Sequence, residues 1–460
     1  MVTVVIQMGS GTKTLYVKEG SLLLSVLREN RIIQAAPCGG KGTCGGCEVK
    51  TSLGNILACQ HRLTEDITIY MSEKEEFQAV LMEDQDSVSK LQGDNSEEDE
   101  EYGIAIDIGT TTLGFALKHL RNGRMIAQWG CTNSQGQYGA DVASRIVACE
   151  TKDGLQTLSK CVREDIKKGI QVLLKQANLD KKQLKQIVIV GNAVMLHILQ
   201  EISPTSIGKA PFHVPESSMK RINIDQVEVV LFPHAGAFIG GDIVSGAAYL
   251  KMFESERIHM LIDLGTNGEM VLGTKEYLIA AAAAAGPAFE NCFRSTGTTG
   301  SKVLDLLVLN ARRRILKKDG SLKPEYREKG IPGGPGLWIT QSQIREIQLA
   351  KGAIRTGIEL LMKTYGCEPS DIDQVYLAGG FGFYLNVVSA IKTGLLPAQF
   401  QEKIKVVGNT ALSGAFFALG NEEFLLSVNQ VGKKIDCRNL AEFADFQEKY
   451  LEEISYICIR

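Results

Sequence analysis

One six-residue pattern occurs twice in this chain of 460 residues. Residues 106–111 read Ile-Asp-Ile-Gly-Thr-Thr, and residues 262–267 read Ile-Asp-Leu-Gly-Thr-Asn, 156 positions later. Each copy ends a short apolar run of the kind that forms a buried strand, so each predicts a strand followed by a tight Asp-containing turn. Two copies of the same unit predict two lobes that share one plan.

The region from residue 102 to residue 460 alternates strand-like runs with helical patterns. Strands are predicted at 103–108, 187–190, 227–232, 260–264 and 375–378, and helices at 157–177, 340–365 and 411–418. Such alternation predicts an α/β domain. Because a single lobe of this length would be unusually large, the region is expected to divide into two lobes.

Residues 1–73 have a different character and predict a small β-rich domain. Short strand-like runs at 2–7 and 14–17 precede one helical stretch at 22–27, and further strands are predicted at 48–50, 56–57 and 67–70. Residues 74–101 are dominated by Asp and Glu, with almost no apolar residue after Leu91. Because such a segment cannot bury enough surface to offset its ordering entropy, we expect a flexible acidic linker, with a partner-docking strip as the alternative.

Four of the eleven cysteines lie in one short stretch of the β-rich domain. Their spacing is Cys38-x5-Cys44-x2-Cys47-x11-Cys59, with five glycines between Cys38 and Cys47. Four thiolates, three of them from one glycine-rich loop, suit a [2Fe–2S] cluster, and the spacing is one residue longer than the plant-type ferredoxin pattern. Tetrahedral zinc is the alternative, although zinc usually takes two close cysteine pairs. The other seven cysteines are scattered and are expected to be small buried residues.

The two repeated turns combine backbone N–H groups with hydroxyl side chains, which together bind phosphate well. A carboxylate at the strand end can hold Mg²⁺ through water. A third turn follows the strand at 375–378 and contains two consecutive glycines, which would let a flat adenosine approach closely. The predicted nucleotide residues are Asp107, Gly109, Thr110 and Thr111 in the first turn, Asp263, Gly265, Thr266, Asn267 and Gly268 in the second, and Gly379, Gly380 and Phe381 in the third.

Composition and missing motifs exclude several other classes of protein. The net charge is −3, so no bulk positive field would attract nucleic acid or an anionic membrane. No stretch of about eighteen apolar residues occurs, and the N-terminus lacks a signal-peptide pattern, so a cytoplasmic protein is expected. The chain contains no Walker-type phosphate loop and no Gly-x-Gly-x-x-Gly after a strand.

The order of the three turns resembles the actin, sugar kinase and Hsp70 superfamily of ATPases, in which they are the phosphate-1, phosphate-2 and adenosine turns. The N-terminal region resembles a ferredoxin with a β-grasp fold. Their combination resembles the reductive activators of corrinoid proteins. Further stretches that match this family lie at 137–146, 190–197, 210–212, 240–242, 285–290, 339–354 and 408–411.

This resemblance implies a two-lobed ATPase, preceded by a small β-grasp ferredoxin domain, that reduces a Co(II) corrinoid protein to Co(I). Its expected cofactors are a [2Fe–2S] cluster, ATP and Mg²⁺, with Asp107 and Asp263 acting in catalysis and holding Mg²⁺ through water. Its expected partners are a corrinoid protein of a methyltransferase system and an upstream low-potential electron donor, in a homodimeric assembly. A redox-sensing small-molecule kinase and an ATP-dependent redox switch without cobalt chemistry are the alternatives.

The chain departs from the family pattern in two places. An additional domain that often separates ferredoxin from ATPase is replaced by the acidic linker, and the stretch after Glu290 is shortened, with Thr298-Thr299-Gly300-Ser301 in place of a glycine-rich turn. Other candidate site residues are Asp141, Arg145, His197, Asp242 and Lys302. Asp141 and Arg145 are four positions apart, so a helix salt bridge is the alternative for that pair.

Overall fold

The computed structural model describes residues 1–8, 11–30, 47–70, 100–265, 267–286, 300–334 and 337–455. Within them, the strands are β1 (Val2–Met8), β2 (Gly11–Val17), β3 (Glu48–Thr51), β4 (Gly54–Leu57), β5 (Ile67–Tyr70), β6 (Tyr102–Ile108), β7 (Thr112–His119), β8 (Met125–Thr132), β9 (Leu184–Gly191), β10 (Lys220–Ile224), β11 (Val227–Leu231), β12 (Ile258–Leu264), β13 (Gly268–Gly273), β14 (Leu278–Ala283), β15 (Ile331–Gly334), β16 (Leu337–Ile339), β17 (Ile372–Ala378), β18 (Ile404–Gly408) and β19 (Ile435–Arg438).

The α-helices of the described residues are α1 (Leu23–Glu29), α2 (Val142–Ala148), α3 (Lys152–Gln176), α4 (Ala193–Leu199), α5 (Gly241–Tyr249), α6 (Gly300–Arg312), α7 (Gln341–Tyr365), α8 (Gly379–Phe383), α9 (Val387–Thr393), α10 (Thr410–Ala418), α11 (Glu422–Lys434) and α12 (Phe446–Ile454). The predicted helices at 157–177, 340–365 and 411–418 are therefore confirmed. The first begins earlier than predicted, because the Thr151 side chain accepts a hydrogen bond from Gly154 N and caps α3 at its N-terminus.

The N-terminal region forms one five-stranded sheet with the order β2-β1-β5-β3-β4. Strand β1 pairs antiparallel with β2 and parallel with β5, which places the two ends of the region side by side. The predicted order of two strands, one helix and closing strands is confirmed. Helix α1 contributes Leu23 and Leu27 to a buried core that also contains Cys47 and Cys59.

Two six-stranded sheets share a common five-stranded plan, as the repeated turn predicted, and differ in the sixth strand, which lies beside β11 in the first sheet (β10) and beside β14 in the second (β19). Their orders are β10-β11-β9-β6-β7-β8 and β18-β17-β12-β13-β14-β19. In each sheet the strand that carries the repeated turn (β6 or β12) pairs antiparallel with the next strand and parallel with a later one (β9 or β17). We call the β6–β11 sheet with the helices on its outer face the first lobe, and the sheet centred on β12 with its outer helices the second lobe.

A single layer of helices, α5, α10 and α11, connects the two lobes. Its core contains side chains from both sheets, for example Ala105 and Val190 of the first and Leu261 and Ala378 of the second. Helices α5 and α10 pack closely at Gly414, because this residue has no side chain. A Cβ at Gly414 would lie only 2.3 Å from the hydroxyl oxygen of Ser245. The outer face of each sheet has a separate core. The lobes thus share a central layer that begins beside the repeated turns.

Several expectations fall on residues outside the described ones. These are Cys38 and Cys44, Thr266, most of the acidic linker at 74–101, and the altered stretch at 290–299. The domain boundaries 1–73, 74–101 and 102–460 stay predictions. Among the described residues, no helix combines the length and apolar character that a membrane crossing requires.

Candidate functional site

The first repeated turn begins at Asp107, the penultimate residue of β6. Its half-buried carboxylate accepts a hydrogen bond at 2.9 Å from the side-chain amide of Asn409, which begins α10. Burial raises the pKa of Asp107 to about 6, while the Asn409 bond acts in the opposite direction. A Cβ at Gly109 would lie 2.7 Å from the carbonyl oxygen of Thr112, so the turn is too tight for a larger residue.

Three side chains from elsewhere in the first lobe hold this turn. Asn133 Nδ2 donates to Gly109 O at 2.8 Å, and Asn192 Nδ2 donates to Thr110 Oγ1 at 3.2 Å. Arg145 Nη2 donates to Thr110 O at 2.5 Å. The backbone N–H groups that would face a phosphate are therefore fixed before any ligand arrives, which is the arrangement that favours anion binding.

The second repeated turn starts at Asp263, the penultimate residue of β12. Gly265 N donates to Asn267 O at 3.0 Å, which closes the turn before β13 begins at Gly268. Glu269 lies directly opposite Asp263 in the β12–β13 ladder and is hydrogen-bonded to the Asn267 side chain. Sequence reasoning did not select Glu269, although its position two residues after Asn267 places it on the adjacent strand beside Asp263.

The glycine-rich turn borders the second repeated turn directly. Gly379 follows β17 with a φ of +85°, and a Cβ there would lie 2.4 Å from Asp263 Oδ1. Gly380 continues into the short helix α8. The Phe381 side chain is buried in the core of the second lobe, so it supports the turn from the inside. Contact with adenosine at these residues stays a prediction.

Four carboxyl groups form an electrostatic chain from one lobe to the other. Asp242, in the first turn of α5, has its pKa raised to about 7 by burial and then by the negative charge of Asp107. Burial, followed by the charges of Asp242 and Asp263, raises the pKa of Glu269 well above its usual value. Repulsion among these carboxyl groups is relieved when a cation binds beside them. The four groups therefore favour the binding of Mg²⁺.

The carboxyl groups do not converge as direct metal ligands. Among the described residues, no group of three or more His, Cys, Asp or Glu side chains is placed to hold a metal ion. The arrangement fits a hydrated Mg²⁺, which keeps several waters and contacts carboxylates through them. Asp107 and Asp263 are the groups that would hold it, each at the end of the strand that carries the repeated turn.

Two of the four clustered cysteines are described, and both are buried in the N-terminal core. Cys59 N donates to Cys47 Sγ at 3.4 Å, and Gln60 Nε2 donates to Cys59 Sγ at 3.7 Å. Two sulfur atoms that accept N–H groups beside one loop fit an iron–sulfur site, in which such bonds stabilise thiolates. Cys38 and Cys44 would supply the remaining ligands.

Four of the scattered cysteines have the opposite character. Burial raises the pKa of Cys131 and Cys437 to about 12 and of Cys149 and Cys367 to about 11. Thiols with raised pKa values are poor nucleophiles and poor metal ligands. Cys149 and Cys367 are buried as expected, whereas Cys131 and Cys437 are half-buried.

The remaining candidates have structural partners. Asp141 caps α2 by accepting a 2.7 Å hydrogen bond from Ser144 N, and the salt bridge considered between Asp141 and Arg145 does not form. His197 is fully buried, with Nδ1 2.6 Å from Ala193 O and Nε2 accepting from Glu216 N. Lys302 is exposed on α6, and its role stays a prediction.

Sequence and structure comparisons identify relatives across nearly the whole chain. Residues 102–255 match the family described as "RACo middle region", and residues 257–302 and 291–458 match "C-terminal domain of RACo the ASKHA domain". The chain is 29% identical over 420 residues to the corrinoid activation enzyme RamQ of Eubacterium limosum, covering 78% of this chain and 70% of that protein. It is 24% identical to a [Co(II) methylated amine-specific corrinoid protein] reductase of Methanosarcina barkeri, covering 77% of each.

A solved structure agrees with these relatives in fold. The structure described as a reductive activator for corrinoid, iron–sulfur protein superposes with a TM-score of 0.71. It is 24% identical and covers 99% of this chain and 98% of its own. The predicted fold, a two-lobed ATPase of the actin and sugar kinase type preceded by a small β-rich domain, is therefore confirmed.

Proposed function

This chain belongs to the family of reductive activators of corrinoid proteins, and we propose that it uses ATP to drive the one-electron reduction of a Co(II) corrinoid protein to Co(I). One structural observation supports the ATP-dependent step most directly. The Asp107 turn of the first lobe and the Asp263 turn of the second lobe are linked by the interacting carboxyl groups of Asp242 and Glu269. A nucleotide bound between them would contact both lobes at once.

Different residues of the two turns would bind the phosphates and the Mg²⁺ of MgATP. The backbone N–H groups of Gly109, Thr110 and Thr111 bind phosphate oxygens, since their carbonyl and hydroxyl groups are already held from behind. Asp107 and Asp263 would hold the hydrated Mg²⁺, which when bound would offset the negative charge of the phosphates. Hydrolysis then depends on positioning a water near the terminal phosphate and on Mg²⁺ electrostatics.

The cysteine loop provides the redox centre. Cys38, Cys44, Cys47 and Cys59 would hold a [2Fe–2S] cluster, which when bound supplies one-electron transfer. The N–H groups of Cys59 and Gln60 stabilise negative charge on the sulfur atoms, so these residues tune how readily the site accepts an electron.

ATP can assist reduction only through different affinities for two conformations of the protein. For one electron, about 59 mV corresponds to about 1.4 kcal/mol, so a deficit of a few hundred millivolts requires roughly 5–7 kcal/mol. The helix layer shared by the two lobes could transmit a conformational change from the nucleotide turns to both sheets. Asp242 lies in the first turn of α5 and Asn409 caps the N-terminus of α10, both beside the nucleotide turns, and these helices pack between the two sheets. A change in the separation of the turns would therefore move both lobes.

The expected partners follow from this reaction. A corrinoid protein of a methyltransferase system is the electron acceptor, and an upstream low-potential donor must reduce the cysteine site. A homodimeric assembly stays a prediction from the family.

Two matched variants separate the redox site from the nucleotide site. Cys59→Ser should lose the absorption of the [2Fe–2S] cluster and ATP-dependent Co(I) formation while still binding MgATP. Cys367→Ser makes the same chemical change in the core of the second lobe and should retain both activities. The proposal fails if Cys59→Ser forms Co(I) at the wild-type rate.

A further inference from the structure

Arg145 is the largest fully buried side chain of the described residues, with only 1% of its surface exposed. Its guanidinium makes four hydrogen bonds, all to uncharged acceptors. Nε donates to Gly139 O at 3.0 Å, Nη2 to Thr110 O at 2.5 Å, and Nη1 to Gln135 Oε1 at 3.1 Å and Met195 Sδ at 3.0 Å. Burial lowers its pKa to about 10, so it is still cationic at neutral pH.

No carboxylate among the described residues forms an ion pair with this cation. The carboxylate with the largest electrostatic influence on it, Asp141, is engaged by the N–H and the hydroxyl of Ser144 at the start of α2. Buried charges in proteins are normally paired, because the loss of hydration is costly when no opposite charge compensates it. The charge of Arg145 therefore calls for an anion that the protein chain does not itself provide.

Lys118, a second buried cation of the first lobe, has its charge compensated by groups of the protein itself. Lys118 Nζ donates to the carbonyl oxygens of Phe416 and Leu419 at 3.1 and 2.8 Å, and it lies 5.2 Å from the centre of the Phe416 ring. These carbonyls end helix α10, where the helix dipole is negative. Arg145 has no such helix end, and one of its acceptors is the Thr110 carbonyl of the phosphate-1 turn.

We propose that Arg145 is a positioning residue for the triphosphate, and that its buried charge is compensated by the nucleotide phosphates bound on the other side of the Thr110 turn. This inference rests on the proposed nucleotide site. The guanidinium fork holds the Thr110 carbonyl inward, which turns the following N–H groups toward the phosphates. Its charge acts across the buried Thr110, where solvent screens electrostatic attraction less than at the surface.

This role makes a distinct prediction about ligand charge. MgATP is more negative than MgADP, and adenosine is neutral. Loss of the buried cation should therefore weaken the binding of MgATP most, that of MgADP less and that of adenosine least. A residue that served only to maintain the fold would weaken all three equally.

The test measures the dissociation constants of MgATP, MgADP and adenosine by calorimetry on the full chain. Arg145→Met should weaken MgATP about thirtyfold and MgADP about fivefold, with less than a twofold change for adenosine. Arg145→Lys retains the charge but lacks the planar fork, so it should weaken MgATP only about threefold. Lys118→Met, the matched removal of a buried cation, should lower the melting temperature without changing the ratio of the MgATP and adenosine constants.

The outcomes separate this inference from the function on which it rests. Wild-type protein that binds none of the three ligands would contradict the nucleotide site itself. Wild-type binding together with an equal loss for all three ligands in Arg145→Met would overturn the role of Arg145 alone. Failure of both Arg145 variants to fold would show that the residue is required for the structure, and would equally overturn the assignment.

Discussion

The two lobes share a five-stranded plan but differ in the residue that lies across from the Asp of the repeated turn. Asp107 and Asp263 are equivalent: each is the penultimate residue of its strand, and each pairs across a parallel ladder with the strand that leads to the next turn. Across the antiparallel ladder, however, Asp107 faces Gly114, whereas Asp263 faces Glu269. At the position across from the Asp, the first lobe therefore has a glycine without a side chain, and the second lobe has another carboxyl group.

The surroundings extend this difference. The turn of the first lobe is held by hydrogen-bond donors, namely Asn133, Arg145, Asn192 and Asn409. The turn of the second lobe is bordered by the carboxyl group of Glu269 and by the backbone of Gly379. Each lobe thus ends one strand in an Asp that would hold hydrated Mg²⁺, but the first lobe surrounds its turn with hydrogen-bond donors and the second adds a further carboxyl group. The predictions below test that difference.

The largest effect is expected at the carboxylate of the second lobe. Asp263→Asn removes the charge that orients the Mg²⁺ waters and should slow ATP-dependent Co(I) formation by about 100-fold or more, as loss of a major electrostatic contact does. Asp225→Asn is the control, because Asp225 is an exposed residue whose partner is Lys181. An unchanged rate in Asp263→Asn would show that the second lobe does not serve the cation.

Alanine substitutions at two glycines distinguish the cost of a strained backbone from the cost of a steric clash at the site. Gly366 and Gly379 have φ values of +82° and +85°, but a Cβ meets nothing within 4 Å at Gly366, and meets Asp263 Oδ1 at 2.4 Å at Gly379. Gly366→Ala should cost about 1 kcal/mol of unfolding free energy, the penalty for a left-handed alanine. Gly379→Ala should cost about 3 kcal/mol in urea denaturation and weaken MgATP as well. Equal costs for the two variants would contradict the close approach of Gly379 to Asp263.

The pH dependence follows from the raised pKa values of Asp107 and Asp242, about 6 and about 7. A carboxyl group with a raised pKa in the folded state contributes stability that is present below its unfolded pKa of about 4 and is lost as the pH rises through 6 to 7. Mg²⁺ competes with these protons. The rise in melting temperature caused by MgADP should therefore be larger at pH 8 than at pH 5.5, and a larger rise at pH 5.5 would be evidence against cation binding at this cluster.

The smallest effect is expected at Glu269, and its sign differs between two measurements. Glu269→Gln relieves repulsion with Asp242 and Asp263 and should stabilise the nucleotide-free protein by about 1 kcal/mol in urea denaturation. The same change should weaken Mg²⁺-dependent nucleotide binding. Glu276→Gln, in an exposed position between β13 and β14, is the control and should change neither. Destabilisation of the free protein by Glu269→Gln would contradict the proposed repulsion.

Local patterns predicted the strands, the helices and the two Asp turns, because each depends on residues adjacent in the chain. The helix start at Lys152 was placed too late, since the periodic apolar pattern begins after the cap at Thr151. The supporting asparagines were not identified as site residues. Asn133, Asn192 and Asn409 act on residues 24, 82 and 302 positions away, and nothing in their own sequence neighbourhoods indicates those partners.

The same limit applies to charges. The spacing of Asp141 and Arg145 favoured a salt bridge within a helix, but Asp141 caps α2 and Arg145 points to the phosphate-1 turn. Glu269 was missed because its importance arises from the ladder that places it opposite Asp263. Asn133, Asn192 and Asn409 directly follow the ends of β8, β9 and β18, and Glu269 lies directly across from a strand end. A polar residue in such a position is the sequence signal that could have identified them.

One anaerobic absorption measurement tests the central claim most directly. The protein is reduced with an electron donor, mixed with a Co(II) corrinoid protein from the same source, and followed at the Co(I) band with and without MgATP. The account predicts that Co(I) forms only when MgATP is present. Co(I) formation at the same rate without nucleotide, or none with it although the [2Fe–2S] cluster is present and ATP is hydrolysed, would contradict it.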